Sequence, residues 1–165
     1  MRLFAFAFAL FLAGTPAWAE DWMEYEYPDF SFSVNFPAQP RVETTSYQVS
    51  DGRAVEARVY SVTQEGGVLK LTIAELPDAG TDEKALIAHA VSGMSQGGVV
   101  QLDMPHRIRT FYGRQLGIAE KNGGYSYIAV FYHKKRLYQI EGRAFVAGGQ
   151  AELDAMRFQQ SLDLT

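Results

Sequence analysis

The chain has 165 residues, 47% of them hydrophobic and 13% aromatic, a formal charge of −4, and no cysteine. An acidic balance is a poor match for a phosphate backbone, which rewards clustered lysine and arginine, so no nucleic-acid partner is expected. The missing cysteine excludes disulfides, thiol nucleophiles, thiolate metal sites, c-type haem attachment and lipid attachment at an N-terminal cysteine.

Arg2 gives the chain a positive start, and Leu3 to Gly14 is an apolar run. Ala17-Trp18-Ala19 then supplies small residues at a cleavage site. These features read as a signal peptide over residues 1–19, with an apolar stretch too short to span a bilayer. Cleavage after Ala19 is expected to send the mature chain to the periplasm, with secretion into the medium as the alternative. Residues 20–165 then form one domain, large enough to bury its own core. They contain no second long apolar run, so no transmembrane segment is expected in them.

Residues 20–29 are an acidic, aromatic lead-in whose Trp22, Tyr25 and Tyr27 are expected to pack on the domain surface. Phe30, Phe32, Val34 and Phe36 alternate with Ser31, Ser33 and Asn35, the period of a half-buried strand ended by Pro37 and Pro40. Val42 to Val49 reads as a polar edge strand, and Asp51-Gly52 as a hairpin turn into Arg53 to Thr63. Gly66-Gly67 turns the chain again into Val68 to Leu76. The first half is thus expected to be a four-stranded meander.

Pro77 to Gly80 breaks the pattern. Thr81 is the expected N-cap of a helix with acids Asp82 and Glu83 in its first turn. Its apolar stripe is Leu86, Ile87, Ala90, Val91 and Met94, and Gly97-Gly98 ends it. Val99 to Met104 is a further strand closed by Pro105, and Ile108 to Tyr112 is ambiguous. Arg114 to Phe145 reads as a three-stranded meander. Taking Asn122-Gly123 as a two-residue type I′ turn sets Ile118 opposite Tyr127 and Leu116 opposite Ala129. A loop of two or four residues at His133-Lys134-Lys135-Arg136 sets Phe131 opposite Tyr138 and Ala129 opposite Ile140. Leu116, Ile118, Tyr127, Ala129, Phe131, Tyr138 and Ile140 then share one face, leaving Gly117 and Ala119 on the other. Ala151, Ala155, Phe158 and Leu162 close the chain with an amphipathic helix whose small residues suit close approach to a sheet.

This order predicts an α+β fold, an antiparallel sheet of about six to eight strands flanked by two helices. Phe32-Ser33-Val34-Asn35-Phe36-Pro37 with Pro40, Leu137-Tyr138-Gln139-Ile140-Glu141-Gly142, and Arg157-Phe158-Gln159-Gln160-Ser161-Leu162 resemble a group of small exported bacterial proteins of unassigned function. Their layout is similar to the fold of the extrinsic PsbP protein of photosystem II, shared with a nuclear Ran-binding protein. The resemblance implies an antiparallel sheet flanked by helices and a role in protein binding or assembly, and it carries no catalytic residues.

No motif for chemistry appears. His89, His106 and His133 lack local metal-ligand spacing, and Met104-Pro105-His106 is too small a donor set for copper, so neither a metal nor another cofactor is expected. There is no nucleophile-elbow motif. The most coherent charge is His133-Lys134-Lys135-Arg136 with Arg107, Arg109 and Arg114. It suits an acidic partner or anionic headgroups, but charged hairpin tips that keep a sheet soluble are the more favoured reading. The expected function is therefore a non-catalytic periplasmic interaction or assembly module with an unknown protein partner. The alternative is a small-ligand binder with a pocket between sheet and helix, and a hydrolase is third.

Overall fold

The structure, a computed structural model, describes residues 22–49, 51–77 and 82–165. The signal-peptide reading lies outside the described residues, as does residue Thr81 itself. Among the described residues ten strands and two α-helices follow in the order strands, helix, strands, helix expected of an α+β fold, with a two-residue strand at the end. In chain order these are β1 (Met23–Tyr27), β2 (Phe32–Phe36), β3 (Arg41–Gln48), β4 (Ala54–Gln64), β5 (Gly67–Glu75), α1 (Glu83–Met94), β6 (Gly98–Ile108), β7 (Phe111–Glu120), β8 (Tyr125–His133), β9 (Arg136–Ala144), α2 (Gln150–Gln159) and β10 (Asp163–Leu164).

Seven strands form an antiparallel sheet in the order β3-β4-β5-β9-β8-β7-β6, and β1-β2-β10 form a small second sheet. The large sheet carries a core on each face. Against α1 lie Leu116, Ile118, Ile128, Val130 and Leu137, with Ile87, Ala90 and Val91 from the helix. Against α2 and the small sheet lie Leu71, Ile73, Ala129, Phe131, Tyr138 and Ile140, with Phe32, Phe36 and Phe158. Phe131 and Tyr138 are direct partners, as the Lys134-Lys135 turn required. That turn has positive φ at both lysines, 48° and 61°, the type I′ geometry that matches the twist of the flanking strands.

The other hairpin differs from its expected form by one residue. Leu116 pairs with Ile128 and Gly117 with Tyr127. The connection is the three-residue loop Lys121-Asn122-Gly123. Gly123 N–H donates to Glu120 at 3.1 Å, and Glu120 N–H donates to Gly124 at 2.9 Å. Gly123 alone takes positive φ, at 90°, so this is a type I turn with a left-handed glycine, not a type I′ turn. Because side chains alternate, one residue of slip reverses a whole strand. Leu116 and Ile118 therefore face α1, while Gly117 and Ala119 share the α2 face with Tyr127, Ala129 and Phe131.

Three further expectations are corrected. The lead-in is a strand: Tyr25 pairs with Val34, and Phe32 to Phe36 leaves the large sheet to join it. The meander of the first half thus has three strands, β3 to β5. The strand after α1 does not stop at Pro105 but runs to Ile108, and the ambiguous segment is a hairpin turning at Arg109-Thr110. Pro105 is tolerated there because β6 is an edge strand. The helix cap is Asp82, whose carboxylate accepts from Ala85 N–H at 3.0 Å.

Helix α2 crosses β9 at Gly142, where an added Cβ would collide with the Ala155 main chain. Small residues on both elements allow that crossing. Gly142→Ala is expected to lower stability by about 1–3 kcal/mol through overpacking. Gly93→Ala, at a helical position with open space beside it, is expected to be neutral or stabilising. Urea denaturation midpoints check the pair; equal midpoints would contradict the close crossing.

Candidate functional site

The basic residues singled out in the sequence gather at one end of the sheet, with one exception. The β6–β7 and β8–β9 turns lie side by side there, and Phe111 packs on His133 with ring centroids 4.1 Å apart. Arg109 pairs with Asp163 at 2.6 Å. Lys134 Nζ donates to the Thr165 main-chain oxygen at 2.8 Å and to Ser31 Oγ at 3.2 Å. His133 Nε2 lies 3.1 Å from the same Thr165 oxygen. Arg136 reaches Glu75 at 3.5 Å and lies over the Phe30 ring. Arg107 donates to the Thr110 carbonyl at 3.3 Å. The contacts of Arg109, His133, Lys134 and the Arg136–Phe30 stacking fasten the small sheet and its flanking residues onto the end of the large one. Of this group, Lys135 alone has no side-chain partner among the described residues. Arg114 lies apart, on the α1 face, and pairs with Asp103 across β6 and β7.

Beyond the C-terminal end of α1 the same face holds a recess of about 280 Å³, lined by Lys70, Thr72, Met94, Glu120, Glu141 and Arg143, among others. Lys70 pairs with Glu141 at 2.7 Å, and Arg143 with Glu120 at 3.2 Å. Ser126 Oγ donates to the other oxygen of Glu120 at 2.7 Å. The cations and carboxylates satisfy one another, except that Arg143 Nε is buried without a protein partner.

The third feature carries the most unusual composition. Nine large apolar side chains are exposed among the described residues, and four of them are on β6: Val99, Val100, Leu102 and Met104. This is an eleven-residue strand at the edge of the large sheet. The opposite edge, β3, is built from Arg, Glu, Thr, Ser and Gln, with the half-buried Tyr47 and with Val42 as its one exposed large apolar residue. Natural edges are normally blunted in the manner of β3, because an unpaired apolar edge invites another strand.

The register explains how β6 is presented. Val99, Leu102 and Met104 pair with Ala119, Gly117 and Gln115, so they lie on the α2 face. Helix α2 packs mainly on β9, β8, β5 and β2 and reaches β7 where Gln115 donates to Gln159 at 3.1 Å, leaving Val99, Leu102 and Met104 exposed. Tyr125 lies across Gly117, where a Cβ would strike its hydroxyl. Tyr127 stands 4.8 Å from Tyr125 and donates to Glu152 at 2.8 Å. Burial first, then the Glu152 carboxylate, pushes the Tyr127 phenol up to about 12. The result is a shelf of small and aromatic residues beside an apolar edge. Sequence reading identified a strand at Val99 to Met104 but gave no reason to place it at an edge. The usable signal was Pro105, which a central strand would not accept.

The histidines do not converge on a polar centre. His89 is exposed on α1, and His106 packs on Phe131. Among the described residues none hydrogen-bonds a side-chain hydroxyl, and no group of three or more His, Asp or Glu side chains is placed to hold a metal ion. No helix there is long and apolar enough to cross a membrane.

Cyanobacterial PsbP (CyanoP) from Synechocystis sp. PCC 6803, known from its solution structure, aligns with 93% of this chain and 98% of its own at a TM-score of 0.58. The fold is PsbP-like. Sequence identity is 10%, so the likeness concerns the PsbP-like fold and not an activity. No protein-family model and no curated protein sequence matches the chain.

Burial against Phe131 holds the His106 imidazole below its ordinary value of 6.5. A depressed folded pKa means the unfolded chain takes the proton first. The contribution of His106 to stability is then present above pH 6.5 and is lost as pH falls through its folded pKa. In an NMR titration the His106 ring resonances are expected to move with a midpoint below 6.5. A midpoint at or above that value would contradict the packing.

Proposed function

We propose that the chain is an exported, periplasmic, non-catalytic module that binds another protein, or helps assemble one, along β6. One observation carries the reading: the exposed apolar residues concentrate on one long sheet edge while the opposite edge is polar. A solvent-facing edge of this kind is a liability unless it is covered in use. Export rests on the apolar run Leu3 to Gly14 and on Ala17-Trp18-Ala19.

The small-ligand reading has one observation in its favour, the recess at Arg143 with its unpartnered Nε. Its carboxylates and cations already close on each other, so a ligand there would compete with four internal partners. The edge has no such competitor.

Site-specific photo-crosslinking tests the proposal. A photoreactive residue at Val100 is expected to give a discrete adduct in the periplasmic fraction of intact cells, whereas one at Thr44 on β3 gives none. Identical adduct patterns at the two positions, or none at either, would contradict it.

A further inference from the structure

The geometry points to strand addition as the mode of docking: an extended segment of another polypeptide pairs with Gly98–Met104 and stops at Pro105. This rests on the β6 reading above and specifies its partner.

The available main-chain groups follow from the ladder. Glu120 N–H bonds to Gly124, so Glu120 belongs to a hydrogen-bonded pair with β8. In an antiparallel sheet such pairs alternate, so Glu120, Ile118, Leu116 and Arg114 direct their main chain to β8. Ala119, Gly117, Gln115 and Gly113 then direct theirs to β6. Their β6 partners are Val99, Leu102, Met104 and His106. Gly98, Val100, Asp103 and Pro105, which alternate with them, send their main-chain groups away from the sheet, and Gln101, with no partner on β7, is the extra residue of the bulge. Pro105 checks this independently: lacking an N–H, it can sit in a ladder only where that position faces outward. An incoming strand therefore finds N–H and C=O groups at Gly98, Val100 and Asp103. At Pro105 it finds a carbonyl and no donor, and pairing ends.

Side chains define what the strand carries. On the α2 face its residues would meet Val99, Leu102 and Met104 and the shelf at Gly117 and Tyr125, so apolar residues at alternate positions fit. On the α1 face they would meet Val100 and the Asp103–Arg114 pair, which is internally neutral. The site thus takes an extended segment of low charge with period-two apolar patterning.

A second copy of this chain is the poorer occupant. Two rigid edges meeting over seven residues share a contact only about 23 Å long at ~3.3 Å per residue. The register shift between Val100 and Leu102 also breaks the straight edge that two-fold pairing needs. A flexible segment can follow the bulge and lie over the shelf.

Selection of phage-displayed random dodecapeptides on the folded chain supplies the probe. Enriched peptides are expected to alternate apolar and polar residues. Asp103→Pro removes the outward N–H without touching the ladder to β7 and is expected to weaken them roughly tenfold, as one lost backbone hydrogen bond would. Asp103→Ala removes the same ion pair but keeps the N–H, so it is the reference against which the tenfold loss in Asp103→Pro is read. Should Asp103→Pro fail to fold, N-methylation of alternate peptide amides makes the same test from the ligand side, with the same loss. Equal binding to the proline and alanine variants, insensitivity to N-methylation, or a selection with no recurring pattern would overturn strand addition. So would a dimer in sedimentation that Asp103→Pro dissolves. Val100 adducts in cells combined with peptides indifferent to the backbone would leave the interaction module standing and remove this mode of docking.

Discussion

One residue of register at Lys121-Asn122-Gly123 decides which way the whole outer third of the large sheet faces. The left-handed Gly123 closes a three-residue loop, and from it Leu116 and Ile118 are committed to α1. Their neighbours Gly117 and Ala119 are committed to the other face. Through β7 the same choice fixes β6, placing Val99, Leu102 and Met104 over small residues where no helix covers them. A two-residue turn would send Leu116 and Ile118 to the opposite face and empty the core under α1. Burial of those two side chains, each worth about 1.5–3 kcal/mol, holds the register in place.

The two faces are closed by different means. On one, α1 lies over an aliphatic core and leaves the rest of the face to cross-strand ion pairs among Lys70, Glu141, Arg143 and Glu120. On the other, the three-stranded sheet and α2 bring aromatic rings together: Phe32, Tyr60 and Tyr138 meet edge to face, and Phe36 packs on Phe158. Tyr138 completes this layer by donating its hydroxyl to the Phe30 carbonyl at 2.7 Å. The basic end belongs to the same closure. Arg109 and Lys134 hold β10 and the Ser31 turn, and charges of this kind at the surface position a segment more than they stabilise it.

Much of the architecture could be read from residue pattern alone. Alternation in β2 and β5, the apolar stripe of α1 and the small residues of α2 each point to one element and one face. The Lys134-Lys135 register was legible because a loop of two or four residues gives the same pairing. Asn122-Gly123 misled because the dipeptide that favours type I′ turns also suits the last two residues of a three-residue loop. The lead-in strand was hidden because Tyr-Glu-Tyr alternation in a short acidic segment resembles surface packing, and its partner β2 seemed committed to β3. The interaction edge was the least legible feature. Whether a strand lies at an edge depends on sheet order, and Pro105, its one local sign, reads equally as the end of a strand.

The account depends most on the hairpin register, and the absence of native cysteines makes that register directly measurable. Ala119 and Tyr125 form the non-hydrogen-bonded pair next to Glu120 and Gly124, the close spacing that a cross-strand disulfide accepts. The double variant Ala119→Cys, Tyr125→Cys is predicted to oxidise to completion in the folded chain, while Ala119→Cys, Ser126→Cys keeps free thiols by titration. The reverse outcome would place Leu102 and Met104 on the wrong face and contradict the account from β7 outward.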